Sequence, residues 1–444
     1  MDNANMVTIP PQNVTVSGRY DVVVCGGGPA GIAAAVAAGQ LGARTLLIEH
    51  LSTIGGMGTA AFVNGWVDTP GGPIFDELLR RIEACGCLTR HYDEQRHQYP
   101  GRAGFHGETL KPIALRMVSQ AGAEVLFCTT AEAAWVPDDT VRGVFIANKG
   151  GRSLIRAAVL IDATADGDIA ASAGAQFAKG DPEDGRLQHV NFKFRIEAAD
   201  KDDYQRREPS EEDLIALIRA AHRSGDIHPP DGVFRPRPEL FPYHRPEQAL
   251  VLSTWEIENV DPTDPLQVST TLTQCQLAAY EVVEFARRHL PGYQHARLGR
   301  LPELLGTRES RRITGNYTLT SDDVLSAAKF DDAVARACFF MDLHDSPPGT
   351  SIPFSLEHVW ANRPPRDDYY EVPYRCLVPV GVGGMLVAGR CISADRAAGG
   401  SLRVMPTCMF TGAAAGTAAA MAVSTGVPPH QLDGRDVRAQ ILND

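Results

Sequence analysis

Residues 20–50, YDVVVCGGGPAGIAAAVAAGQLGARTLLIEH, admit few folds. Val22, Val23 and Val24 are consecutive β-branched residues, the pattern of a strand covered on both faces. Gly26, Gly28 and Gly31 follow at G-x-G-x-x-G spacing. The first allows a tight turn, the second lets backbone approach a pyrophosphate, and the third lets a helix pack on a strand. The helix expected over 30–41, with Pro29 and Ala30 at its start, is mostly alanine and can lie close to a sheet. Its N-terminus turns free N–H groups and the positive end of the dipole towards the phosphates. Residues 45–48 read as the next strand, and Glu49, followed by His50, closes it where an acid hydrogen-bonds an adenosine's ribose hydroxyls. A glycine pattern alone is weak evidence. Strand, turn, helix, strand and acid in this order indicate a bound dinucleotide.

A chain of 444 residues has material for two or more domains. Its net charge of −12 argues against a nucleic-acid partner or an acidic membrane surface. Residues 22–43 and 404–427 are uncharged, but alanine, glycine and small polar residues dominate both, which suits close packing better than lipid. The first residues carry an acid and no apolar run, so no secretory signal is expected, and a cytoplasmic location is. Nine scattered cysteines with no C-x-x-C pair exclude thioredoxin-like redox, zinc ribbons and iron–sulfur clusters, and no metal is expected. A homo-oligomer is compatible with this composition.

After the first motif, Gly55, Gly56, Met57 and Thr59 form a glycine-rich stretch, either pressed against a cofactor or simply a loop. Helices are expected over 73–84 and 108–121, and the polar residues 89–105, with His91, His97 and His106 nearby, show no metal spacing. Three short strands, 124–127, 132–136 and 142–148, read as a meander, followed by a buried strand over 156–161. That strand ends in Asp162–Asp168, where small residues and acids, Asp166 among them, mark the ligand edge of a sheet. The texture changes near residue 180, with strands expected at 191–196 and 249–255 and helices at 211–221 and 272–289. Residues 297–317 carry Arg297, Arg300, Arg308, Arg311 and Arg312, as either an Arg–Glu-paired face or an anion site. His344, placed after a helix and flanked by Asp342 and Asp345, is either a tuned proton acceptor or a hydrogen-bonded bystander. The last block returns to the opening style. A strand at 385–388 ends in Gly389 and Arg390, a small-residue loop spans 393–400, and a close-packing helix is expected from Thr411, Gly412 and Ala413 onward. A flavin needs such a second strand–turn–helix, because a helix N-terminus stabilises its reduced anionic ring.

With that block in view, the chain resembles the FAD-dependent oxidoreductases of the glutathione-reductase-like superfamily. More narrowly it resembles the bacterial group of that name, distantly akin to fumarate reductase flavoproteins. The resemblance rests on CGGGPAGIAAA, IGGMGTA, IDATADGD, GTRESRRITGNYTLTSDDV with FDDAVAR, and LVAGRCISADRAAGGSLRVMPTC with GAAAGTAAA. It implies FAD held by Gly26, Gly28, Gly31 and Glu49, with Gly56 and Thr59 near the flavin half. Asp166 and Asp168 would close the adenine side, and Gly389, Arg390 and the turn 411–416 would meet the isoalloxazine. Ala165 departs from the group's usual glycine, and Phe410 from its usual aliphatic residue.

The expected fold class is α/β. A discontinuous Rossmann-like FAD-binding domain (1–180 and 376–444), with a central parallel sheet and a β-meander, would carry an inserted α+β substrate domain (181–375). The expected function is hydride transfer from a small polar or anionic substrate to flavin N5. Arg308 and Arg312 would orient that substrate, His344 would act as base, and Tyr374 and Arg396 would serve as walls. Without a second G-x-G-x-x-G, electrons would leave to oxygen, a quinone or a small carrier. Reduction of an activated C=C bond is the alternative reaction. A flavin-binding protein without substrate redox, such as a nucleic-acid-modifying subunit, is the alternative of another class.

Overall fold

The computed structural model describes residues 13–90, 103–230, 241–242, 251–344 and 355–443. His91, His97, Asp345 and the start of the strand expected at 249–255 lie outside them. A seven-stranded sheet forms the centre, and its parallel part runs Glu124–Leu126, Thr45–Ile48, Thr15–Cys25, Gly151–Asp162 and Met385–Val387. Val22, Val23 and Val24 are wholly buried, as their β-branched run predicts. In register, Cys25 sits beside both Ile48 and Asp162, and Asp162 beside Val387. Four carboxyl ends therefore finish on one edge, and the segments that leave it are the glycine turn, Glu49, the 163–167 loop and Gly389.

The expected meander is one strand out of place. Glu124–Leu126 pairs parallel with Thr45–Ile48 at the sheet edge, and the antiparallel meander consists of Thr130–Trp135, Gly143–Asn148 and the long strand Gly151–Asp162. Gly151–Asp162 is antiparallel to one neighbour and parallel to two others, so one strand joins the meander to the cofactor sheet.

Helix Pro29–Gln40 is apolar on all sides and packs beneath the sheet against a second such helix, Met405–Thr425. The latter is long and apolar enough to cross a membrane, yet most of it is buried in the core. It starts six residues before Thr411. Residues 393–400, expected as loop, enter the short helix Arg396–Leu402, and the segment before Met341 is the strand Ala333–Ala337 and not a helix.

A second, separate core gathers residues 190–305. Strands Phe241–Pro242, Val251–Ile257, Val190–Glu197 and Arg297–Arg300 form an antiparallel sheet covered on one face by helix Pro265–His289. Ile313, Leu319, Val324, Tyr370 and Val372 pack with the first core. By packing, the inserted unit thus ends near residue 305, well before the expected boundary at 375.

Candidate functional site

The three motif glycines divide their work as their spacing predicts. A side chain at Gly26 (φ +103°) would meet the Ala163 carbonyl at 2.5 Å, and one at Gly31 would meet the Gly26 carbonyl at 1.8 Å. Gly28 faces open space, with nothing within 4 Å. Gly28, Pro29 and Ala30 line a cavity of about 260 Å³, and a helix starts at Pro29 with Gly28 as its N-cap. Open backbone at a helix N-terminus could hold a phosphate group.

Glu49 is buried at the end of its strand. It accepts from the Gly27 N–H (2.7 Å) through Oε2 and from the Leu51 N–H (2.8 Å) through Oε1, and His50 Nδ1 lies 2.9 Å from Oε1. A carboxylate has roughly four acceptor sites, so Oε2 keeps room for a ribose hydroxyl. Burial works to raise its pKa, but the bonds from His50, Leu51 and Gly27 outweigh it and hold the carboxyl below its usual range. His50 is pushed up by the same contact.

Of the glycine-rich stretch, Met57 reaches the cavity. Gly55 donates to the Gly27 carbonyl (2.8 Å), Gly56 packs on Gly28, and the Thr59 hydroxyl turns inward to the Ile54 carbonyl (3.0 Å). These three support the phosphate turn. Gly389, packed against Ala30, and Arg390 line the same cavity. Arg390 donates to the carbonyls of Ala165 (3.2 Å) and Thr307 (2.5 Å) and to Asp166 Oδ1 (2.6 Å), which also accepts from Ser310 (2.5 Å). Asp166 therefore positions Arg390, and Asp168 pairs with Arg311. The buried Asp162 carboxylate, not singled out from sequence, shapes the whole 163–168 loop by accepting from Thr164, Ile169 and Ala170.

Thr411, Gly412 and Ala413 are not at a helix start. Thr411 Oγ1 accepts from the Gly389 N–H (3.1 Å) and donates to the Cys408 carbonyl (3.1 Å), while Ala413 borders a different cleft. Val404 and Met405, at the true helix N-terminus, line the cavity instead.

The cavity roof comes from the second unit: Asn191, Lys193, Thr307, Arg308 and, from the first unit, His344. Arg308 donates to the His189 carbonyl (2.7 Å) and to Glu256 Oε1 (2.9 Å). That same oxygen is 2.9 Å from His344 Nδ1, and His344 Nε2 is 3.1 Å from Asp342 Oδ2, which Arg403 contacts at 3.1 Å. The result is an alternating chain, Arg308–Glu256–His344–Asp342–Arg403. Both imidazole nitrogens are engaged by carboxylates, so the ring offers no free lone pair to the cavity, which speaks against a base role in this arrangement.

Arg312, Tyr374 and Arg396 do not line this cavity. Arg312 and Arg396 are buried together around Glu309, with Arg312 also on the Gly180 carbonyl (3.1 Å) and Arg396 on Asp181 (3.1 Å). Tyr374 donates to the Pro429 carbonyl (2.8 Å). Arg297, Arg300 and Arg311 also pair with acids, so the arginine-rich run is mostly structural, with Arg308 as the one that lines the cavity.

Arg403, overlooked in the sequence, lines the cavity one residue before the helix cap. Its Nη2 donates to the Asp342 carbonyl (2.7 Å), and its buried Nε has no partner among the described residues; nor has Asn191 Oδ1. Burial lowers the Arg403 pKa against the pull of Asp342, and Arg308 and Arg390 add to the lowering. A buried polar atom left unpaired costs about 1–3 kcal/mol until a water or another polar group reaches it. Pro406 was the available signal, since proline in the first turn announces a helix start.

Residues 21–441 match the family described as FAD dependent oxidoreductase. Among solved structures, the chain is similar to THI4 from Thermovibrio ammonificans (24% identity, 36% of this chain and 64% of that one, TM-score 0.29). It is also similar to a geranylgeranyl bacteriochlorophyll reductase-like protein from Thermoplasma acidophilum (13%, 96% and 83%, 0.46). A third is p-nitrophenol 4-monooxygenase PnpA from Pseudomonas putida DLL-E4 (12%, 96% and 86%, 0.48).

Proposed function

This chain belongs to the FAD dependent oxidoreductase family, and from that premise we propose that it oxidises a small anionic substrate, with a hydride passing to its flavin and the partner proton to solvent. The observation that carries this reading is the single cavity bordered by the phosphate turn, Gly389–Arg390, the N-terminus of helix Met405–Thr425 and the arginines Arg308 and Arg403. Bound FAD supplies a two-electron acceptor. Glu49 would hold the ribose, the turn at Gly28 the pyrophosphate, and the free N–H groups at Met405 and Thr407 the electron-rich edge of the flavin. Arg308 and Arg403 present donors to a substrate carboxylate from two sides.

The test uses purified holoprotein. Its visible spectrum is expected to show oxidised flavin, and small carboxylic acids with an abstractable α- or β-hydrogen are expected to bleach it anaerobically. Arg403→Gln and Arg308→Gln should slow bleaching by about 10²-fold each, the scale of losing a charged donor to a reacting group. Bleaching unaffected by both changes would remove the proposed clamp. Oxidation of the reduced flavin by unsaturated acids, with no bleaching by saturated ones, would favour C=C reduction instead.

A further inference from the structure

His344 stands between two carboxylates, and its own backbone pins it there. Its N–H donates to Gln188 Oε1 (3.3 Å), and its carbonyl accepts from the His189 N–H (2.8 Å). With the main chain held on both sides, the ring keeps Nδ1 at 2.9 Å from Glu256 Oε1 and Nε2 at 3.1 Å from Asp342 Oδ2. An ionised carboxylate only accepts hydrogen bonds, and a neutral imidazole has one N–H and one bare nitrogen. A neutral ring would therefore set a lone pair against a carboxylate oxygen at one of its two contacts. The doubly protonated ring donates to both.

Both acids are shared with arginines. Glu256 Oε1 also accepts from Arg308 Nη2 (2.9 Å), and Asp342 Oδ2 accepts from Arg403 Nη2 (3.1 Å). Arg308 and Arg403 line the cavity, and each guanidinium carries five N–H groups, so both keep donors for a bound anion. With the ring protonated, the chain from Arg308 to Arg403 holds three cations against two anions. With the ring neutral, it holds two against two, and one of its links is broken. The other charged and titratable groups at this junction are Lys193 on the cavity wall, Arg390 paired with Asp166, Glu309 bonded to the Gln188 N–H (3.1 Å), and His189, whose Nε2 is 4.0 Å from Glu258.

Resting on the proposed anionic substrate of this cavity, we propose that His344 is a positioning residue that works as an imidazolium. Its second proton ties Arg308 and Arg403 into one anion clamp, so anion binding is coupled to that proton. Affinity is present while the ring is charged and is lost as pH rises through its titration.

The experiment titrates oxidised holoprotein with acetate and with propionate from about pH 6 to 9, where both acids stay ionised, following the flavin band. Above one transition, affinity is expected to fall about tenfold per pH unit, because one proton is taken up with each anion. His344→Gln keeps a side chain that hydrogen-bonds but never charges, and it should bind weakly at every pH with FAD content unchanged. Glu256→Gln removes one of the two carboxylates that favour the charged ring, and it should move the transition to lower pH. Nitrogen NMR of histidine-labelled holoprotein reads the ring directly: the signal missing from His344→Gln should lose its second proton over the range in which affinity falls. Affinity constant across the range, a fall that survives His344→Gln, or a ring that titrates elsewhere overturns the proposal while leaving the anion site standing. If FAD is bound but neither acid perturbs its band at any pH, the anionic-substrate reading itself falls, and the proposal with it.

Discussion

Ala165 holds a left-handed backbone (φ +70°) on the cavity wall, with its carbonyl taken by Arg390. An alanine there costs about 1–2 kcal/mol that glycine escapes, part of which glycine returns through its freer unfolded chain. Ala165→Gly is therefore expected to raise stability by about 0.5–1 kcal/mol, seen as a higher urea midpoint at unchanged slope. The residue scale is also where the sequence was least legible. Arg308, Arg311 and Arg312 look alike in a string and all three form ion pairs, yet of the three Arg308 alone also lines the cavity. Arg403 has no arginine neighbours to draw attention to it, and His344 looks like a base until Glu256, distant in sequence, is seen on its other nitrogen.

Among elements, helices Pro29–Gln40 and Met405–Thr425 are in backbone contact. A side chain at Gly412 would lie 2.1 Å from the Ala30 carbonyl, and one at Gly416 2.2 Å from that of Ala34. Overfilling such a contact costs about 1–3 kcal/mol, because backbone has to move. Gly412→Ala is expected to destabilise by that amount and, since Ala30 belongs to the phosphate turn, to weaken FAD retention on gel filtration as well. Melting curves with and without added FAD check both effects. Alternation and small-residue runs made the elements around the cofactor readable: 45–48 and 73–84 match the structure to the residue. The start of the second helix was misplaced because its alanine-rich run was weighed above Pro406. Glu124–Leu126 was assigned to the meander because a three-residue strand carries no periodicity that distinguishes parallel from antiparallel neighbours.

At the scale of the molecule, two cores meet at Arg308–Glu256–His344–Asp342–Arg403, reinforced by the bond from the His189 N–H to the His344 carbonyl (2.8 Å). Burial acts to raise the Asp342 carboxyl, but His344, then Arg403 and Arg308, prevail and depress it. A depressed acid contributes stability that is present above its unfolded value, about 3.9, and is lost as pH falls through the folded one. The junction should hold at neutral pH and loosen in acid. Asp342→Asn should loosen it at pH 7, so that calorimetry resolves an early transition for the unit around 190–305, whereas the unmodified protein is expected to unfold in a single transition. A single transition in the variant would mean that the junction does not couple the cores. That the sheet of the first unit would be parallel and its cofactor edge shared was readable from sequence. That the second unit ends near 305 was not, because residues 313–372 look like their neighbours in composition and differ only in which core receives their apolar side chains.

The contact between the two alanine-rich helices also has a consequence in time. One belongs to the first forty residues and the other begins at Met405. At 5–20 residues per second, a ribosome takes on the order of half a minute to make the intervening chain. Throughout that interval the nascent phosphate turn lacks the helix that backs it, and its apolar face is open to chaperones. Full support of that turn is thus expected only once translation has passed helix Met405–Thr425.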